Sequence, residues 1–148
     1  MITFHLEDKS PLGQDKIAAI AKAISDTVAV KKELIIGISF VDSKTMQKLN
    51  AKYANTDAAT DVLSFDYSDD KNSSSDGDIV VCLDIAKQQA KDNKISQDAE
   101  LSLLIAHGTL HILGFDHQNS AQVTSLDALQ SDIMNKLNYE YRDFKWSH

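Results

Sequence analysis

The hydrophobic rhythm of the chain changes several times, and each change marks an element. Residues 2–7, ITFHLE, alternate polar and apolar positions, the period-2 pattern of a half-buried strand in which His5 takes a solvated or partly buried face. Pro11 and Gly13 interrupt the chain, and DKIAAIAKAISDTVAV then carries apolar residues at helical spacing. ELIIGISFV, residues 33–41, is a β-branched run that predicts a buried strand. SKTMQKLNAKY follows as a helix; Asp42 or Ser43 can cap it, because either side chain accepts from the first N–H groups. ANTDAAT reads as a loop, DVLSFDY as a third strand and DIVVCL as a fourth. With only a loop between them, the last two suit an antiparallel pair. That loop, the polar tract SDDKNSSSDG at 68–77, reads either as a mobile flap or as a disordered connector. Three helical patterns close the chain at 84–93, 97–113 and 120–137, with Asp84, Ser96 and Ser120 as N-caps. The sum is an α+β fold: about four short strands in a mixed sheet packed with about five helices. No repeat or linker divides residues 1–148, so they read as one domain.

Composition narrows the class. With 148 residues, 43% hydrophobic and 25% charged, the chain is long enough to bury a core and has ordinary soluble composition. No apolar run approaches the roughly 20 residues that span a bilayer, and MITFHLEDKS lacks the basic start and apolar stretch of a secretory signal. Cys82 is the only cysteine, which excludes an intramolecular disulfide and makes a thiolate metal site hard to build. In DIVVCL it reads as a small buried hydrophobe. These features predict a cytoplasmic protein with no membrane partner. The formal charge of −7 argues against a large sequence-independent nucleic-acid surface, since phosphate neutralisation draws on Lys and Arg. A short groove, or a metal that supplies positive charge, remains compatible with it.

The chemistry concentrates in HGTLHILGFDH, residues 107–117, which holds three of the five histidines. His107 and His111 are four apart on the most apolar helical stretch, LSLLIAHGTLHIL, so their rings point the same way one turn apart. Gly114 suits the helix end and a reversal that brings His117 back toward the pair. Three imidazoles on a divalent ion, with water in the remaining position, is the layout of a catalytic zinc site. The metal centre would then lie on a central helix in the C-terminal half. The competing reading is a stacked pair of core histidines. It leaves several buried ring nitrogens to satisfy, whereas an ion satisfies one from each ring. A zinc protease places glutamate after the first histidine to take a proton from the bound water; Gly108 stands there and cannot do so. Phosphodiester cleavage depends less on a protein base, because a metal polarises the phosphoryl oxygen and acidifies its water. Asp116 can orient a ligand or take a proton, the first more readily than the second.

HGTLHILGFDH closely resembles the HGxLHLxGYDH signature of the YbeY family, metal-dependent endoribonucleases linked to ribosomal RNA maturation. LNAKYANTDAATDVLSF, residues 49–65, resembles that family's LNxxYRxxDxPTDVLSF, and GDIVVC, residues 77–82, stands where the family has its GDI strand. The resemblance implies that His107, His111 and His117 hold a metal, usually zinc, one per chain. It also implies that Thr60, Asp61, Ser64 and Phe65 border the metal cleft. An exposed strand there would offer backbone N–H groups and the Ser64 hydroxyl to a substrate. Without the resemblance, Phe65 reads equally well as core and Asp61 as a cap or turn residue. The chain departs from the family at Ala54, where the family has arginine, and at Ala59, where it usually has proline. The proline matters only to loop stiffness. The arginine could grip a phosphate with a bidentate fork that Lys52, two residues earlier, cannot reproduce.

The reading that follows is a single-strand-specific, metal-dependent endoribonuclease in ribosomal RNA maturation. Its partners would be single-stranded or ribosomal RNA and a ribosomal subunit or its proteins. Two alternatives are a non-catalytic, metal-stabilised ribosome-assembly factor, which Ala54 favours, and another zinc hydrolase. Three imidazoles also suit nickel, copper or iron. Trp146 and His148 carry no assigned role.

Overall fold

The computed structural model describes residues 1–7, 9–54, 59–116 and 118–141. In chain order the elements are β1 (Ile2–Leu6), α1 (Gln14–Thr27), β2 (Leu34–Val41), α2 (Ser43–Ala54), β3 (Val62–Asp66), β4 (Gly77–Cys82), α3 (Leu83–Asp92), α4 (Gln97–Ile112) and α5 (Ser120–Lys136). The strands form one mixed sheet in the order β1-β2-β4-β3. β1 and β2 run parallel, as a pair joined through a crossover helix must, and β4 lies parallel to β2 with Ile38 opposite Ile79. β3 pairs antiparallel with β4, Ser64 opposite Ile79, as the loop between them predicts.

The period-2 alternation divides the sheet between two cores. Ile36, Ile38, Val62, Ile79 and Val81 face the large core, shared with apolar residues of α1, α4 and α5. Leu63, Phe65, Val80 and Cys82 face the opposite way, onto Met46 and Leu49 of α2. His5 is exposed on edge strand β1, and Cys82 is fully buried.

Helix α4 occupies the centre. From Ala99 to Leu110 every residue is buried, on all sides of the helix, which explains a hydrophobic pattern without a polar stripe. Its start is as predicted: the Ser96 side chain accepts from the Ala99 N–H at 3.0 Å. Two other caps differ. α5 is capped by Asn119, whose side chain accepts from the Gln122 N–H, not by Ser120. Asp84 does not cap its own helix, which begins at Leu83; its carboxylate accepts from the Ser43 N–H at 2.8 Å. α2 therefore receives two carboxylates, because Asp42 accepts from the Thr45 N–H, also at 2.8 Å. That bond, with the Thr45 hydroxyl, holds the Asp42 carboxyl below the usual range, and Lys44 and Lys48 add to the effect.

The polar tract 68–77 is a turn-rich loop whose base is hydrogen-bonded to the sheet, an ordered connection and not a disordered connector. The Tyr67 N–H donates to the Asp76 carbonyl, the Asp76 N–H to the Ile35 carbonyl, and the Ile35 N–H to the Asp76 carboxylate. The Tyr67 hydroxyl donates to Asp78 at 2.8 Å; burial and this bond push its pKa up to about 12.

Candidate metal centre and its bordering strand

The interior helix α4 fixes two of the three motif histidines. His107 is buried, with 2% of its surface exposed, and His111 is half-buried on the next turn. Their ring centroids are 4.6 Å apart with the planes at 73°, an edge-to-face pair on one side of the helix. The helix then ends at Gly114, whose φ of +100° lies in the region that only glycine enters without strain. The Gly114 N–H donates to the His111 carbonyl and the Phe115 N–H to the Leu110 carbonyl. These are the two bonds of a Schellman motif, and they end the helix at Gly114. His117 itself lies outside the described residues. Among the described residues no group of three His, Cys, Asp or Glu side chains is placed to hold an ion. Asp116, half-buried, follows the turn.

A polar chain orients His107. Its Nδ1 lies 2.8 Å from Gln130 Oε1, on the facing side of α5. Gln130 Nε2 donates to the Tyr141 hydroxyl at 3.0 Å, and that hydroxyl donates to Asp127 Oδ1 at 2.6 Å. A carboxylate only accepts, so the tyrosine must donate to it and accept from the glutamine amide; the amide oxygen then faces the imidazole. The proton of His107 is thus placed on Nδ1, and Nε2 carries the lone pair. An imidazole held in this way presents a defined nitrogen, the feature a metal ligand needs. None of these three partners stands out in the sequence. The signal that could have found Gln130 is its position: a glutamine on the apolar side of a helix, fully buried here, needs a polar partner.

Gly108 has a packing reason. A β carbon there would meet Ile79 Cγ1 and Cγ2 at 3.2 Å and Cδ1 at 3.4 Å. The position after the first histidine faces the sheet, and a glutamate there would be driven into β4. The glycine lets α4 lie close on the sheet.

The four candidate residues of the TDVLSF segment lie on different faces of the strand and its start. Ser64 is opposite Ile79 and shares its face, the one on which Gly108 rests, so it borders the histidine helix. Phe65 points the other way, into the smaller core, with its ring edge-on to Tyr53 at 5.3 Å. That is the core role left open by the residue pattern. Asp61 is buried; Gln89 Nε2 reaches its carboxylate at 3.2 Å and Glu100 at 2.7 Å, and its carbonyl accepts from the Cys82 N–H. It ties β3 to α3, β4 and the start of α4, two helical turns before His107. The Thr60 hydroxyl makes a long bond of 3.4 Å to Asp61. On the exposed end of α2, Lys52 Nζ lies 5.0 Å from the centre of the Tyr53 ring, which is 57% exposed.

The same architecture recurs in the solution structure of TM1509 from Thermotoga maritima. It superposes with a TM-score of 0.62 over 93% of this chain and 92% of that one, at 19% identity. In sequence, the endoribonuclease YbeY of Carboxydothermus hydrogenoformans is 34% identical over 137 residues, 92% of this chain and 96% of its own. That of Acholeplasma laidlawii is 39% identical over 109 residues, 74% of this chain and 79% of its own. The family model described as Endoribonuclease YbeY matches residues 4–138, a span that takes in all but the first two residues of the sheet, with the bordering strand and the whole histidine motif. The chain therefore belongs to the endoribonuclease YbeY family.

Proposed function

We propose that the protein is a metal-dependent endoribonuclease that cleaves single-stranded RNA during ribosomal RNA maturation in the cytoplasm. His107, His111 and His117 would hold one zinc ion. The observation that carries the metal reading is the pairing of His107 with His111 on an interior helix, with His107 Nδ1 2.8 Å from the Gln130 amide oxygen. The relatives' common name, endoribonuclease, supports RNA cleavage. A zinc ion bound there would polarise a phosphoryl oxygen and acidify a bound water. Asp116 is placed beside His117 in sequence to orient it or to hold a proton. Ser64 offers a hydroxyl next to the histidine helix, while Asp61 and Thr60 hold the strand in place. Phe65 supports the strand from its other face through Tyr53. The exposed Tyr53 ring with Lys52 beside it suits an unpaired base and its phosphate, and a duplex would shield that base. No helix among the described residues is long and apolar enough to cross a membrane. Association with a ribosomal subunit belongs to this reading as the setting of ribosomal RNA maturation.

The test combines metal content with cleavage. Elemental mass spectrometry on protein purified without chelator or nickel should find about one zinc per chain, and less in each of His107→Ala, His111→Ala and His117→Ala. The loaded protein should cut a single-stranded RNA and spare the same sequence as a duplex. A wild type that takes up no zinc, even after zinc is added, would overturn the metal reading. Absence of cleavage by a fully loaded enzyme, also with arginine at position 54, would favour the assembly-factor reading.

A further inference from the structure

We infer that Gln130, Tyr141 and Asp127 act as a positioning relay that sets the proton of His107, and through it the affinity of the metal centre. The inference rests on the reading of His107 as a metal ligand. Imidazole exists as two neutral tautomers, and only the one protonated on Nδ1 offers Nε2 to an ion. In an isolated side chain neither is enforced. Here the choice is transmitted from the only group in the chain of contacts with one possible role. The Asp127 carboxylate has no proton to give, so the Tyr141 hydroxyl donates to it. The hydroxyl oxygen then accepts from the Gln130 amide, and the amide oxygen accepts from His107 Nδ1. Gln130 is fully buried and His107 nearly so, which leaves the relay little competition from solvent.

The relay is assembled from distant parts of the chain. Asp127 and Gln130 sit on α5, three residues apart and so on one face. Tyr141 follows that helix and lies beyond residues 4–138, the span the family model matches. The positive-φ turn at Asn138, with the Tyr139 N–H donating to the Met134 carbonyl, sends the chain back so that Tyr141 can reach α5. A residue outside the family's matched span thus completes the support of a residue inside its most specific motif.

Two readouts test this on the full-length protein. One is the tautomer of His107 in the metal-free state, from long-range proton–nitrogen correlation spectra at a pH where the ring is neutral. The other is zinc affinity, by competition with a chromophoric chelator. The wild type should show the proton on Nδ1. Tyr141→Phe keeps the ring packing and removes the hydroxyl; it should mix the tautomers and weaken zinc binding by about tenfold, the lower end of what loss of such partners costs. Gln130→Met should do the same or more, whereas Gln130→Glu, which keeps an acceptor at Nδ1, should retain the tautomer and most of the affinity. The relay is refuted if metal-free wild type carries the proton on Nε2. It is equally refuted if a folded Tyr141→Phe protein keeps both tautomer and affinity. A wild type with the proton on Nδ1 that takes up no zinc overturns the metal reading, and the relay with it as a metal device.

Discussion

Gly108→Ala is the substitution whose sign the packing decides. In an exposed helix interior, replacing glycine by alanine would stabilise by about 1 kcal/mol. Here the new β carbon stands 3.2 Å from two carbons of Ile79 and 3.4 Å from a third, where unstrained carbon contacts lie at about 3.5–4.0 Å. Ile79 has little room to yield: it is fully buried on β4, paired with Ile38 on one side and Ser64 on the other, and β-branching restricts its rotamer. Overpacking of this kind costs about 1–3 kcal/mol. Taking about 2 kcal/mol for the clash against about 1 kcal/mol for the helix, the net effect is a loss of about 1 kcal/mol. Ile79→Ala removes the three opposing carbons, at its own cost of about 2–5 kcal/mol. On that background Gly108→Ala should stabilise by about 1 kcal/mol, which makes the coupling between the sites about 2 kcal/mol. Urea unfolding of the four proteins measures it, provided the denaturant slope stays constant across the set. If Gly108→Ala stabilises the wild type as much as the Ile79→Ala protein, the close approach does not explain the glycine. Gly108→Glu, which would complete the protease-like spacing, adds a buried carboxylate to the same clash and should prevent folding.

Ala54→Arg should raise RNA cleavage by the zinc-loaded protein with zinc content unchanged, read as initial rates on a single-stranded substrate. Lys94 ends α3 with a φ of +56°, a conformation that costs a side chain about 1 kcal/mol; Lys94→Gly should therefore raise the urea midpoint, and an unchanged midpoint would mean the strain is absent. The Tyr67 hydroxyl has its pKa raised from 10.0 to about 12, so the folded state keeps a proton that the unfolded state loses in this interval. The stability it contributes is complete below pH 10 and declines as the pH rises toward 12. The stability difference between wild type and Tyr67→Phe should narrow over that window in unfolding measured at stepped pH.

The elements were legible because each stretch has one dominant rhythm: alternation in ITFHLE, a continuous β-branched run in ELIIGISFV, helical spacing in DKIAAIAKAIS. Strand order was not. β2 pairs with β4, residue 36 against 77, and no local pattern reports a pairing across that separation. Capping failed where the partner came from elsewhere. Asp84 has the chemistry of a cap and performs it, but for α2, since a carboxylate accepts from whichever N–H the fold brings near. In the site, spacing alone paired His107 with His111, because four residues on a helix make neighbours whatever surrounds them. Ser64 and Phe65 are adjacent in sequence and opposite in direction, so a segment-level resemblance could not tell the face beside the histidine helix from the face against α2. Gln130 and Tyr141 stayed hidden because a glutamine on a helix and a tyrosine near a terminus are ordinary in sequence and become informative only through what they touch.

The burial of α4 on every side has a further consequence for how the protein would respond to loss of the proposed zinc ion. In a zinc finger the ion assembles the fold, and a chelator unfolds the chain. Here the interior packing of α4 already sets two imidazoles 4.6 Å apart, so most of the ordering cost is met by apolar burial before any ion arrives. Chelation should therefore disarm the protein while leaving a cooperative unfolding transition in place. On the zinc reading, the ion's contribution to stability should follow the free zinc concentration by mass action, with the metal-free chain still folded.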